Sequence, residues 1–244
     1  MKLIKVLFAL LIVFSINGKI FAQDADEIVD KYIHAIGGLE NIQAIKTIKL
    51  TGKVTAGGMD IPFTQTCKRP QMVLMESTIQ GMTMKQVFDG THGWTINPFM
   101  GKKDPDVMSK DAEKAIQRNA DFEGQLINYK DKGSKIELIG KENLDGSQVY
   151  NIKLIDKNND TTSYYIDADS YFVVKQNDKL KFDAKEISSE SILSNYKQVN
   201  GVMFPFSIES KSPDNPMGSA KITVDSIEIN ITVDDSIFKM PITK

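Results

Sequence analysis

One cysteine, two histidines and one tryptophan are all that 244 residues supply of those types. Cys67 alone can neither close an internal disulfide nor build a thiolate zinc cluster. His34 and His92 leave little material for imidazole ligation or acid–base chemistry. No G-x-S-x-G, H-E-x-x-H or P-loop pattern occurs in the chain, so no catalytic residue, metal or cofactor is expected and the chain is not read as an enzyme. An excess of charge is missing too. The 30 basic residues stand against 32 acidic ones, a formal net of -2, which disfavours nucleic acid as a partner. With 16 Gly and 8 Pro the chain is no low-complexity sequence, and 41% hydrophobic content is too much for a disordered one.

Long apolar runs are also scarce, and the one that stands out is at the start. Lys2 and Lys5 precede an apolar run from Val6 to Phe14, a polar stretch from Ser15 to Lys19, and Ile20-Phe21-Ala22 before acidic Asp24. That order predicts a secretory signal peptide over residues 1–22, cleaved after Ala22. The run is too short for a bilayer core, which needs about 20 apolar residues, so no membrane span is expected after cleavage. Removing Lys2, Lys5 and Lys19 leaves 27 of the 30 basic residues against 32 acidic, net -5 over 222 of the 244 residues. An acidic exported chain of that length, residues 23–244, is compatible with one β-rich domain.

From Asp24 to Ile36, apolar Ile28, Val29, Tyr32, Ile33 and Ile36 fall on one helical face, and Gly37-Gly38 provides the stop. A short second helix is expected over Leu39–Ala44. After Thr47 the period becomes two. About ten strand-like runs follow, punctuated by turns such as Asp89-Gly90, Asp145-Gly146 and Asn200-Gly201. The interruption is central: Asp106–Gln117 and Asp121–Lys130 carry helical apolar patterns, a helical insertion over about 104–131. The expected fold is mainly β, α+β in class: one curved antiparallel sheet, an unclosed half-barrel, with helices as a lid over an apolar hollow.

Single residues carry weaker signals. Asp156, Asn158, Asp160 and Asp167 have the spacing of a calcium loop, but Thr161 replaces its glycine, and a hairpin turn is the preferred reading. Cys67, beside Lys68 and Arg69, reads as a core residue of a strand because no general base is in view. Seven of eleven methionines (Met59, Met72, Met75, Met82, Met84, Met100 and Met108) crowd into one stretch. Copper(I) ligation, an adaptable apolar surface and ordinary core remain open for them.

Lys68-Arg69-Pro70, followed by Asp89-Gly90-Thr91-His92-Gly93-Trp94 and Thr95-Ile96-Asn97-Pro98-Phe99, resembles the LolA-like family of periplasmic outer-membrane lipoprotein-sorting carriers. Ala120–Gly124, Tyr164–Asp167 and Asn200–Pro205 resemble a branch of that superfamily. The resemblance implies a soluble periplasmic carrier of a Gram-negative envelope whose hollow shields acyl chains of a lipoprotein or lipid, with inner- and outer-membrane proteins as partners. It also implies that Arg69 lies in the hollow and holds the lid shut. A guanidinium has five donors and suits that task, although a solvated arginine at a strand edge is the plainer reading. If Arg69 faces inward, Val73, Met75 and Ile79 share its face; with Met82, Met84, Trp94 and Phe99 they form the candidate cavity lining. The alternative is an envelope sensor or protein-interaction module on the same fold, its hollow filled by its own side chains.

Overall fold

The switch to period two after Thr47 is realised as one sheet of thirteen antiparallel strands, seen in a computed structural model that describes residues 24–182, 185–213 and 218–242. The signal peptide expected over residues 1–22 lies outside the described residues. Strands β1 (Thr47–Ala56), β2 (Met59–Lys68), β3 (Met72–Ile79), β4 (Met82–Phe88), β5 (Gly93–Asn97) and β6 (Lys102–Val107) run outward to one edge. The chain then crosses to the opposite edge. From there β7 (Lys135–Leu144), β8 (Ser147–Ile155), β9 (Thr161–Asp167), β10 (Val173–Phe182), β11 (Lys185–Val199), β12 (Val202–Lys211) and β13 (Ser219–Ile229) step back until β13 pairs with β1. The edges β6 and β7 do not meet, so the sheet is not a closed barrel.

This order decides what lies over the sheet. Because β6 and β7 are opposite edges, residues 108–134 must traverse the whole face to join them. The covering segment thus follows from connectivity. It begins with helix α3 (Lys110–Ala120), whose Ser109 hydroxyl accepts from the Ala112 amide at 3.3 Å. The predicted start at Asp106 is too early: Asp106 and Val107 still belong to β6, a strand that the sequence reading missed. Its charges and Pro105 suit an exposed edge, where a missing N–H is tolerated and foreign pairing is discouraged.

The predicted second helix, Asp121–Lys130, is a series of turns. Gly124 at φ +85° and Asn128 at φ +51° sit in the left-handed region, which an α-helix cannot include. Leu126 and Ile127 are nevertheless buried, so the apolar pattern was real and the backbone differed.

Helices α1 (Ala25–Ala35) and α2 (Leu39–Ala44) were placed correctly. Asp24 caps α1 by accepting from the Glu27 amide at 2.8 Å. Ile28 and Val29 of α1 pack with Tyr150, Ile152, Leu154, Tyr164 and Ile166. Met108, Ile116 and Ala120 pack with Val73, Phe88, Cys67 and Phe206. Each fully buried aliphatic or aromatic side chain contributes about 1.5–3 kcal/mol. A third, smaller cluster of Leu74, Val87, Trp94 and Phe238 lies on the other face of the sheet.

Candidate functional site

The end of α1 is brought unusually close to the β11–β12 turn. Gly37, at φ +122°, has no side chain, and a Cβ there would stand 2.3 Å from the Gly201 carbonyl oxygen. Ile36 O accepts from the Met203 amide at 2.9 Å across the same junction. This contact sets Val202, Met203 and Phe204 against Tyr32, Ile36, Ile42 and Ile45 of the helical layer, and a cavity of about 230 Å³ remains between them. Its far wall is Tyr164, Val173, Leu193 and Tyr196; its cover is the turn segment Asp121–Leu126.

Arg69 is hydrogen-bonded to that cover and to the helix beside it. Its Nε donates to Ile45 O at 2.7 Å and its Nη2 to Ile42 O at 3.1 Å, at the C-terminal end of α2 where carbonyls lack helical partners. The same Nη2 donates to Glu123 Oε2 at 2.6 Å, and the guanidinium carbon lies 4.9 Å from the centre of the Phe122 ring. Lys132 secures the segment from its other side, 2.8 Å from Asp121 Oδ2 and 3.2 Å from Glu123 Oε1. One planar fork therefore ties α2, the β2–β3 turn and the covering turn together.

Burial disfavours ionisation of three tyrosines and one aspartate among the polar groups that line the cavity. Burial, and after it the Asp121 charge, pushes the Tyr32 hydroxyl up to about 12. Burial also raises Tyr164 and Tyr196, whose hydroxyl donates to Val173 O at 2.7 Å. It raises Asp121 as well, although Lys132 beside it pulls the other way. Helix α3 is anchored across the hollow by Arg118, 3.0 Å from Asp178, and Lys114, 2.8 Å from Asp160. The arrangement can enclose a small apolar group.

Of the residues expected at the site, Arg69 lies beside the cavity and hydrogen-bonds Ile45, Ile42 and Glu123. Val73, Met75, Ile79, Met82 and Met84 do share one face, since Val73 pairs with Phe88 and Ile79 with Met82. Yet Val73 is sealed in the core, Met75 lies under Asn119 of α3, and Met82 is exposed; none borders the cavity. Trp94 requires a correction. It pairs with Val87 on the opposite face, and its indole N–H donates to Phe238 O at 2.8 Å. Phe99, 44% exposed on a short 3-10 turn, faces solvent. The cavity lies one half-sheet away from these strands because α3 fills the hollow over β3–β5. The methionine stretch divides likewise: Met59 and Met100 are exposed and Met108 is core, while the cavity takes Met203.

Cys67 and the Asp156 loop follow their plainer readings. Burial pushes the Cys67 thiol up to about 12, which suits core packing. Asp156 closes a hairpin turn by accepting from the Asn158 and Asp160 amides at 2.8 and 2.9 Å. Sequence reasoning missed Glu123, Phe122 and Tyr32 as site residues, although the Ala120–Gly124 motif contains two of them. It also missed the wall behind Asn200-Gly201. A tight turn followed by Val-Met-Phe-Pro was the available signal.

A protein-family model described as "uncharacterized protein"-like matches residues 111–241. No curated protein matches the chain in sequence. Among solved structures, a LolA superfamily protein from Nitrosomonas europaea superposes with a TM-score of 0.61 at 13% identity, covering 89% of this chain and 98% of that one. A DUF1329 family protein from Desulfovibrio piger gives 0.60 at 13% identity, covering 88% and 96%. A putative outer membrane lipoprotein-sorting protein domain from Vibrio parahaemolyticus gives 0.57 at 11% identity, covering 87% and 94%. At such identities the likeness is one of fold.

Proposed function

Since this chain belongs to the uncharacterized-protein family matched over residues 111–241 and has the fold of the LolA superfamily, we propose that it is an exported carrier that shields an acyl chain beneath the Asp121–Leu126 cover. The observation that carries this reading is the Arg69 fork bridging Ile42, Ile45 and Glu123 over an apolar cavity. Burial of methylene groups, at about 0.8 kcal/mol each, is the driving force available to such a site.

The cavity size sets the mechanism. Its volume of about 230 Å³ is below the roughly 300–1,000 Å³ usual for ligand pockets. Loading therefore requires Arg69 and Glu123 to part and the cover to swing away, enlarging the hollow. Release is the reverse, with Arg69 recapturing the carbonyls of α2. No covalent chemistry is assigned, and the periplasm is the compartment that the N-terminal pattern favours.

The small volume also favours a second reading, an envelope sensor or protein-interaction module whose hollow its own side chains fill. One experiment separates the two. The exported protein is purified without detergent, extracted with organic solvent, and the extract examined by mass spectrometry, alongside uptake of a fluorescent fatty acid. A carrier yields bound lipid and saturable uptake. Absence of both overturns the carrier reading and leaves the filled module, whose partner is then sought by crosslinking.

A further inference from the structure

Seven tyrosines occur in the chain, and a buried phenol ordinarily finds a hydrogen-bond partner. Tyr129 donates to Asp26, Tyr196 donates to Val173 O at 2.7 Å, and Tyr165 accepts from Asn177 at 3.4 Å. Tyr150 and Tyr171 stack on one another and have further interactions. Tyr32 and Tyr164 differ. Among the described residues neither of their hydroxyls has a hydrogen-bond partner. Both residues line the cavity beneath the Asp121–Leu126 cover. Tyr164 is only 6% exposed, yet neither oxygen is sealed in packed protein, so both reach the open space of the cavity.

The elements that carry them make the pair converge. Tyr32 follows buried Ile28 by one helical turn on the inner stripe of α1. Tyr164 alternates on β9 with buried Thr162 and Ile166, which puts all three on the inner face of the sheet. Burial above all keeps both hydroxyls protonated, with Tyr32 pushed up to about 12. The Asp121 charge adds to this at both residues, and Tyr32 acts on Tyr164 in turn. Such effects are short-ranged, so Tyr32, Tyr164 and Asp121 share one polar end of the cavity. Its other walls include Ile42, Ile45, Val173 and Leu193, which are apolar.

A neutral hydroxyl left without an acceptor in such a site costs about 1–3 kcal/mol. A bare methylene chain offers no acceptor. One carbonyl oxygen has two lone pairs and accepts from both tyrosines. A carboxylate accepts too, but the cations nearest this end are already paired. Lys132 is bound to Asp121 and Glu123, Arg118 to Asp178, and Arg69 to Glu123. A carboxylate placed beside Asp121 is therefore a buried charge without a counter-ion, which is costly. The acceptor that suits the pair is uncharged.

We propose that the Tyr32 and Tyr164 hydroxyls seat the carbonyl oxygen of an acyl ester, so that the site takes esterified chains in preference to free fatty acids. This rests on the carrier reading and names the ligand class of the same cavity. The methylenes lie along the apolar walls and supply affinity; the two hydroxyls decide which atom of the ligand lies at the polar end. Glycerolipids and the diacylglyceryl anchors of lipoproteins share this chemistry.

The test is equilibrium dialysis of the exported full chain at pH 7 against methyl laurate, lauric acid and dodecane in parallel. Methyl laurate is expected to bind saturably, and lauric acid about tenfold more weakly. Tyr32→Phe and Tyr164→Phe are each expected to weaken methyl laurate by about three- to tenfold while leaving dodecane unchanged. Tyr129→Phe, outside the cavity, leaves the affinity for methyl laurate unchanged. Circular dichroism melting separates a structural role: Tyr164→Phe removes a hydroxyl that has no partner, so its Tm does not fall. Saturable binding of none of the three ligands overturns the carrier reading, and this proposal with it. Saturable binding that neither cavity variant moves, or a lowered Tm in Tyr164→Phe, overturns the proposal alone. Lauric acid bound as tightly as its methyl ester overturns the preference for esters. Competition then identifies the source: a lipoprotein if a diacylglyceryl peptide displaces methyl laurate more tightly than diacylglycerol does, and a free lipid if it does not.

Discussion

Arg69 Nη2 lies 2.6 Å from Glu123 Oε2, while Lys132 Nζ holds the other oxygen of the same carboxylate at 3.2 Å. The acid is nearly buried and is shared between the β2–β3 turn and its own turn. Removing one partner of a buried pair is costly because the other charge stays behind. Here Lys132 remains and Arg69 is partly solvated, so Arg69→Leu is expected to destabilise the fold by only about 1–2 kcal/mol in urea unfolding. Its larger effect is on the cover. Stopped-flow transfer of a fluorescent fatty acid should speed up in Arg69→Leu and in Glu123→Gln alike.

Trp94 is the chain's single tryptophan, and its environment is the C-terminal segment, with Phe238 O accepting its N–H at 2.8 Å. Its fluorescence therefore reports docking of that segment on the outer face. Truncation before Asp235 is expected to shift its emission to the red, whereas fatty-acid loading leaves the emission unchanged. Trp94→Phe should remove about 1 kcal/mol, mostly the lost hydrogen bond, as measured by urea unfolding.

Gly37→Ala places a methyl 2.3 Å from the Gly201 oxygen at a φ of +122°. Backbone strain alone is about 1–3 kcal/mol, and the collision adds to it. The expected outcome is a loss of about 3 kcal/mol or more and a displaced β11–β12 turn. Gly58→Ala is the comparison, since nothing lies within 4 Å of a Cβ there. Its milder loss in the same urea assay separates the two contributions.

Cys67 supplies a pH dependence. Its thiol is raised from 9.0 to about 12 in the fold by burial. The unfolded thiol ionises first as pH rises, so the stability of the neutral buried form is fully present below about pH 9. It is lost progressively between there and about pH 12. Urea midpoints measured across that window should fall with pH, and fall less steeply in Cys67→Ala. Iodoacetamide should label the native protein at pH 8 only as fast as it unfolds.

The alternation after Thr47, the Asn-Gly and Asp-Gly turns and the glycine stop at Gly37-Gly38 are local, and each is written in side chains a few residues apart. They determined a mainly β chain opened by two short helices. The expectation for Arg69 came from a motif resemblance and the five donors of a guanidinium, and its contacts are with Ile42, Ile45 and Glu123. Tertiary structure decided the rest. Asp121–Lys130 has a helical pattern, but Gly124 and Asn128 adopt left-handed backbone, and Glu123 in that turn bonds to Arg69. Which half of the sheet keeps a cavity depends on where α3 settles, and periodicity does not encode that. Val73 and Trp94 show the reason: both read as inward strand residues, but register put one under α3 and the other on the outer face beneath Phe238. Patterns along the chain fix which residues alternate; only pairing between distant strands fixes which side each set faces and what covers it.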